Sequence, residues 1–189
     1  MPNNGFHLLH RECKVNFGME FHTEREKALY TTLQQVLQNH VVTHRLGYRQ
    51  TLAACVPVLG YVLYIMSETW EEAPELVEHT VAALKQRTRM RVRRAPPTLP
   101  PFRDEGPHMT GSPQYQELGT ALATLLTDAG LEYDMSVTAT WRAYLSLLAD
   151  VLVRPIHDAQ QTPQEAEAFI DALRDQLPVL MQMWDEERQ

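Results

Sequence analysis

An internal repeat constrains the fold of this sequence more than any other feature. When the chain is aligned with itself at an offset of 89 residues, residues 27–87 pair with residues 116–176 without a gap. Two amphipathic helical regions can match through shared composition, but a gapless match of this length favours duplication of one supersecondary unit. We therefore predict two tandem copies, residues 23–94 and residues 112–189. The identical pairs include Leu29/Leu118, Leu33/Leu122, Thr51/Thr140, Leu59/Leu148, Pro74/Pro163 and Leu84/Leu173.

Each copy is predicted to form three helices. A capping box of Thr23 and Glu26 opens the first helix, because the hydroxyl and the carboxylate can each bond to an otherwise unpaired backbone N–H. Leu29, Leu33 and Leu37 then follow on one face at helical spacing. The predicted boundaries are 23–44, 48–67 and 72–89 in the first copy, and 113–131, 136–156 and 163–185 in the second.

The predicted fold class is all-α. No segment shows sustained strand-like alternation, and three short helices bury little surface by themselves. We therefore expect a six-helix bundle formed by two tandem, internally duplicated three-helix units that pack about a pseudo-twofold axis. Pro57 and Pro178 fall inside predicted helices, where a missing N–H and a steric clash are expected to kink or break the chain.

The segments outside the repeat carry weaker signals. Residues 95–111 are rich in proline and glycine and are interpreted as an extended linker. Residues 1–22 are interpreted as an N-terminal extension, of which residues 1–18 have no counterpart in the second copy. Met19 stands just before the Thr23 cap, so a misassigned start codon would also explain that stretch.

Composition favours a soluble, cytoplasmic protein. The chain holds two cysteines and shows no secretory signal in its first residues. Residues 51–67 are uncharged, but they fall short of the roughly 20 apolar residues that a membrane span needs. We therefore predict a buried core helix there and no membrane partner.

The most unusual charge pattern is a basic segment at residues 85–94. Without its six cations, 11 basic residues would face 24 acidic ones, so the chain is strongly polarised. The simplest interpretation is a solvated helix end, where arginine favours the dipole. The segment could instead bind nucleic-acid phosphates, or dock on this chain's own acidic helices or on an acidic partner. Its cations are Lys85, Arg87, Arg89, Arg91, Arg93 and Arg94, and we place the last four of these outside the core pattern.

Three histidines form a candidate metal site. His40 and His44 stand one helical turn apart, the spacing at which two imidazoles can share a metal, and His79 on the third helix could complete the set. The second copy has Ala129, Tyr133 and Ala168 at the equivalent positions. The favoured interpretation is therefore polar histidines near a helix end, with no cofactor.

The sequence favours binding over catalysis. It contains no nucleophile elbow and no glycine-rich phosphate loop. We therefore expect a non-enzymatic helical binding or adaptor protein that contacts a protein partner, or a second copy of itself, through a groove between the repeats or an exposed apolar strip. The alternatives are a nucleic-acid-associated protein that uses residues 85–94 and a metal-dependent helical-bundle enzyme.

Overall fold

Six α-helices make up the part of the chain that the structure describes. The structure is a computed structural model that describes residues 21–67, 73–102, 114–132 and 135–187. Within these ranges no strand occurs, so the predicted all-α class is confirmed for them. The helices are α1 (Glu24–His44), α2 (Tyr48–Met66), α3 (Ala73–Val92), α4 (Gln114–Glu132), α5 (Val137–His157) and α6 (Pro163–Glu187).

Helix order and helix boundaries agree between the halves. The helices α4, α5 and α6 begin 89 or 90 residues after α1, α2 and α3. Every predicted boundary lies within about three residues of the observed one, because caps and prolines mark the ends. The common origin of the two halves itself stays a prediction.

Helices from different halves make most of the packing contacts. The helix α3 packs chiefly on α5 and α6, α2 packs on α4, α5 and α6, and α1 packs on α4 and α5. Consecutive helices of one half make few contacts with each other. The two three-helix units therefore share one interleaved core, in which neither unit has a core of its own.

The central helices α2 and α5 form the middle of that core. The hydroxyl of Tyr144 donates to the carbonyl oxygen of Cys55 at 2.6 Å, which joins the two helices where both are fully buried. Burial raises the pKa of the Cys55 thiol to about 12, so it stays protonated and packs as a small apolar group. The prediction that residues 51–67 are too short for a membrane span is corrected for the complete helix, because α2 is long and apolar enough to cross a membrane by length and composition. Within the fold, however, 61% of its apolar stretch is buried.

Prolines inside the helices do not end them. The helix α2 continues through Pro57 and α6 continues through Pro178, so the break considered at Pro178 does not occur, and a kink at either proline stays a prediction. A third proline, Pro155, lies in the last turn of α5. Packing of α2 and α6 against several neighbours outweighs the single backbone hydrogen bond that each proline removes.

The first part of the predicted linker belongs to the core. Leu99 and Phe102 are buried, and the Phe102 ring lies 5.7 Å from the ring of Tyr48, between centroids. Arg154 also donates to the carbonyl of Pro97 at 3.3 Å. Residues 95–102 therefore pack along the bundle as an ordered strap. The remainder of the linker and residues 1–20 lie outside the described residues.

Candidate functional site: an apolar groove over the second helix

The basic segment pairs with acidic side chains of this same chain. Because α3 extends to Val92, most of the segment is helical and faces α5 and α6. Lys85 Nζ lies 2.6 Å from Asp171 Oδ1, and Arg89 binds Glu167 through two hydrogen bonds of 2.5 and 2.9 Å. Arg89 and Lys85 hold the pKa values of Glu167 and Asp171 below their usual range.

Arg91 corrects the prediction that the last four arginines of the basic segment lie outside the core. Its side chain is buried, with 8% of the residue exposed, and Arg91 Nε donates to Asp150 Oδ1 at 2.5 Å. The reason is helical geometry, because Val77, Leu84 and Arg91 follow at intervals of seven and so lie on one inward face of α3. Burial lowers the pKa of Arg91, an effect that the Asp150 carboxylate opposes.

Asp150 is the centre of a polar cluster at the interface of α1, α3 and α5. Tyr30 donates its hydroxyl proton to Asp150 Oδ2, and Gln34 Nε2 donates to the same oxygen at 2.9 Å. Burial raises the pKa of Tyr30 far above its ordinary value, and the Asp150 charge raises it further, so the phenol remains a donor. Together with Arg91, three donors satisfy the buried carboxylate.

A second buried ion pair joins α1 and α5 nearer to the first turns of both helices. Glu26 is fully buried and accepts hydrogen bonds of 2.5 and 3.2 Å from Arg142. Thr23 caps α1 as predicted, by accepting from the Glu26 N–H at 3.1 Å. The Glu26 carboxylate, however, accepts from the N–H of His22, so the reciprocal half of the predicted box is displaced by one residue. We call the surface over α1, α3 and α5 the closed face.

The candidate metal histidines are separated in the fold. His40 and His44 neighbour each other on α1, with 5.7 Å between ring centroids. His40 Nδ1 lies 2.9 Å from the carbonyl of Val36, and His44 Nε2 lies 3.4 Å from Glu117. His79 lies on α3, which packs mainly on α5 and α6. In the ranges that the structure describes, no group of three or more His, Cys, Asp or Glu side chains is placed to hold a metal ion.

On the opposite side of the bundle, a groove runs along the outer surface of α2 between α4 and α6. One compartment, of about 710 Å³, lies between α2 and α6, and the other, of about 540 Å³, lies between α2 and α4. Ala53 and Pro57 border both compartments, so the two form one continuous surface. The apolar lining includes Leu52, Val56, Val58, Tyr61, Tyr115, Gly119, Ala123, Phe169, Val179, Leu180 and Trp184.

Trp184 forms a wall of the compartment beside α4. Its indole Nε1 donates to the carbonyl oxygen of Pro57 at 3.2 Å, and its ring lies 5.1 Å from that of Tyr61. Pro57 has no N–H, so the carbonyl of Ala53 lacks its usual helical donor at the junction. Beside this wall, Val179 and Met183 on α6 are 59% and 52% exposed, which is high for such apolar side chains.

Two glycines set how closely α4 and α6 approach α2. A Cβ atom on Gly60 would lie 2.7 Å from Leu180 Cβ, and one on Gly119 would lie 3.3 Å from the carbonyl oxygen of Ala54. Neither position can carry a larger side chain without moving a neighbouring helix. Close packing of the helices therefore forms the floor of the groove. Small residues on α2 and α4 leave the volume above that floor open.

The groove occupies the position that corresponds, at the 89-residue offset, to the closed face. All six residues of the two polar clusters have a partner position in the groove lining. There the large polar side chains are replaced mainly by small or apolar ones. The corresponding pairs are Glu26/Tyr115, Tyr30/Gly119, Gln34/Ala123, Arg91/Leu180, Arg142/Ala53 and Asp150/Tyr61.

Comparison with known proteins identifies no relative. Neither a protein-family model, a curated protein nor a solved structure matches this chain.

Proposed function

We propose that this protein is a non-enzymatic helical binding or adaptor protein, and that the groove over α2 receives a helix from a protein partner. The observation that carries the proposal is the apolar groove, because contiguous exposed apolar surface of this kind marks interaction sites. We expect the protein to act in the cytoplasm. A second copy of this chain is one candidate partner.

The length of the groove fits a short helix. Its lining extends along α2 from Tyr48 to Tyr61, which at 1.5 Å per residue is about 20 Å. A helix of about 13 residues has the same length, and helices that bind in grooves use anchors one turn apart. The two compartments, which meet at Ala53 and Pro57, supply two pockets for such anchors.

We further propose that the two halves arose by duplication of one three-helix unit. Support comes from the gapless sequence match, from helix starts that repeat after 89 or 90 residues, and from the packing pairs. The pairing of α1 with α5 has its counterpart in that of α4 with α2, and the pairing of α3 with α5 in that of α6 with α2. Duplication would explain why one molecule carries a filled and an open version of one interface.

The two alternative functions have less support. Lys85, Arg89 and Arg91 neutralise acids of this chain, which reduces the positive charge that phosphates could meet. The metal-dependent alternative needs more ligands than His40 and His44 supply. Both alternatives stay predictions, which salt-dependent binding to nucleic acid and metal analysis of the purified protein can test.

Photo-crosslinking in the native cell tests the proposed function. A photoreactive amino acid replaces Thr120, an exposed groove residue, or Thr31, the identical residue at the corresponding exposed position on α1. We expect one discrete protein adduct from position 120 only, and its loss when Ala53→Trp blocks the groove. Adducts of the same kind from both positions, or an adduct that persists with Ala53→Trp, would show that the groove is not the binding surface.

A further inference from the structure

One end of the groove is strongly negative, which narrows the chemistry of its occupant. The helices α2, α4 and α6 run in the same direction, because Ala54 lies beside Gly119 and, further along both helices, Tyr61 bonds to Thr127. On α6, Leu180 lies against Gly60 and Asp185 lies against Tyr64. Three helix C-termini, each with a partial negative charge, therefore meet at one end.

Carboxylates add to the negative charge at that end. Asp128 lines the compartment beside α4, and Asp185 accepts a hydrogen bond of 3.4 Å from the Tyr64 hydroxyl. Both residues are exposed, as is Glu186 next to them. Among the described residues that line the groove, Arg49 is the one Lys or Arg, and it lies at the opposite end, by the first turn of α2. Asp175 also lines the groove, on α6 five residues before Leu180, and therefore lies between Arg49 and the negative end. The groove thus combines an apolar floor with carboxylates that are most numerous where the three helix C-termini meet.

We propose that the occupant is an amphipathic helix whose apolar face fills the two compartments and whose cationic end, rich in Lys or Arg, lies over Asp128 and Asp185. This inference rests on the proposed function, because it specifies the kind of helix that the groove receives. An acidic helix would place like charges together at this end, whereas a basic one gains several partly exposed charge pairs. Specificity against acidic helices would follow from the same carboxylates.

Matched peptides separate the charge of the occupant from its apolar contacts. The probes are three blocked 14-residue helices with the same leucines one turn apart, and with three Lys, three Gln or three Glu at identical positions in one terminal turn. Binding to the full chain is measured by fluorescence anisotropy at low and moderate salt. Asp128→Asn/Asp185→Asn tests the carboxylates, Ala53→Trp blocks the groove, and Ala28→Trp on the exposed surface of α1 is the matched control.

We expect the Lys helix to bind about five- to tenfold more tightly than the Glu helix. Two or three partly exposed charge pairs supply a binding free energy of this size. Added salt and the double variant Asp128→Asn/Asp185→Asn should each remove most of this difference in affinity. Ala53→Trp should abolish binding of all three helices, whereas Ala28→Trp should leave it unchanged. Equal binding of all three helices, lost with Ala53→Trp, would overturn the charge inference and leave the groove as a helix site. No binding, or binding that Ala53→Trp leaves unchanged, would overturn the inference together with its premise.

Discussion

The closed face and the groove each combine helices from both halves and are related by the 89-residue offset, but they are filled in different ways. On the closed face, Asp150 and Glu26 are buried and paired with arginines. At the corresponding positions in the groove stand two tyrosines, Tyr61 and Tyr115, beside small residues. Long polar side chains of the same molecule can therefore fill such an interface between helices, whereas small side chains leave it open for another molecule.

The difference also separates stability from recognition. Buried ion pairs are costly to break, because a lone charge remains in a site of low polarity. A partly open apolar surface contributes less to stability, since its side chains keep contact with solvent. We therefore expect substitutions on the closed face to destabilise the fold, and equivalent ones in the groove to change binding with little effect on folding.

The largest expected effect is that of Asp150→Leu. The change leaves Arg91 buried without its carboxylate, which typically costs about 3–5 kcal/mol of the free energy of unfolding. At the corresponding groove position, Tyr61→Leu should cost less than about 1 kcal/mol, because Tyr61 is uncharged and partly exposed. Chemical denaturation of both variants measures the contrast. Equal losses for Asp150→Leu and Tyr61→Leu would remove the distinction between the faces.

Removing both charges sharpens this comparison. In the double variant Asp150→Leu/Arg91→Leu no lone charge stays buried, so much of the loss should be recovered. A double variant as unstable as Asp150→Leu alone would mean that packing, and not the unpaired guanidinium, causes the destabilisation.

A smaller effect is expected for Gly60→Ala, where α6 lies closest to α2. Alanine favours a helix by about 1 kcal/mol over glycine, but the new Cβ would lie 2.7 Å from Leu180 Cβ. Overpacking of this kind typically costs about 1–3 kcal/mol, so we expect net destabilisation in thermal or chemical unfolding. The corresponding closed-face residue is already Ala149, fully buried. A stabilised Gly60→Ala variant would show that the two helices separate easily.

Transplanting a polar pair should partly close the groove. The double variant Ala53→Arg/Tyr115→Glu places in the groove the residues that form the Glu26 and Arg142 pair on the closed face. Because this site is partly exposed, we expect a coupling energy of about 0.2–1 kcal/mol in a double-mutant cycle. Binding of the Lys helix should weaken as the volume fills. Zero coupling together with unchanged peptide affinity would indicate that the two faces do not correspond in space.

The smallest effect is the acid sensitivity of the ion pairs between α3 and α6. The pKa values of Glu167 and Asp171 are lowered in the folded state, so their contribution to stability is fully present above their ordinary values of 4.5 and 3.8. It is lost as pH falls through the lowered folded-state values. Relative to the parent chain, Glu167→Gln/Asp171→Asn should therefore unfold with a weaker dependence on pH below about pH 4.5. Parallel unfolding profiles would exclude this contribution.

The sequence predicts the helices well because their ends are marked by local chemistry. The Thr162 hydroxyl accepts from the N–H of Glu165 at 3.2 Å, and the Glu165 carboxylate accepts from the N–H of Thr162 at 2.6 Å. Both bonds follow from residues three positions apart. By contrast, the Glu26 carboxylate binds Arg142, which is far away in sequence. Only the packing of α1 against α5 brings these two side chains together.

The groove and the closed face could be predicted only in part. The buried pair of Arg91 and Asp150 was not predicted, although the seven-residue spacing of Arg91 from Leu84 is a signal that could have placed Arg91 on the inward face. Gly119 and Ala123 stand four residues apart, which indicates a face of small side chains on α4. Which of these faces closes depends on the distances between helices from different halves, and these distances are set by tertiary packing.

The indole N–H signals of Trp184 and Trp141 distinguish the two faces most directly. Trp184 lies in the groove, whereas Trp141 is buried on the opposite side and donates to Thr80 at 3.1 Å. The Lys helix is titrated into ¹⁵N-labelled protein, with each signal assigned by a Trp→Phe variant. If the groove is the binding surface, the Trp184 signal shifts and saturates while the Trp141 signal stays in place. A Trp184 signal that stays in place, or a shift confined to Trp141, would contradict the assignment of the groove as the binding site.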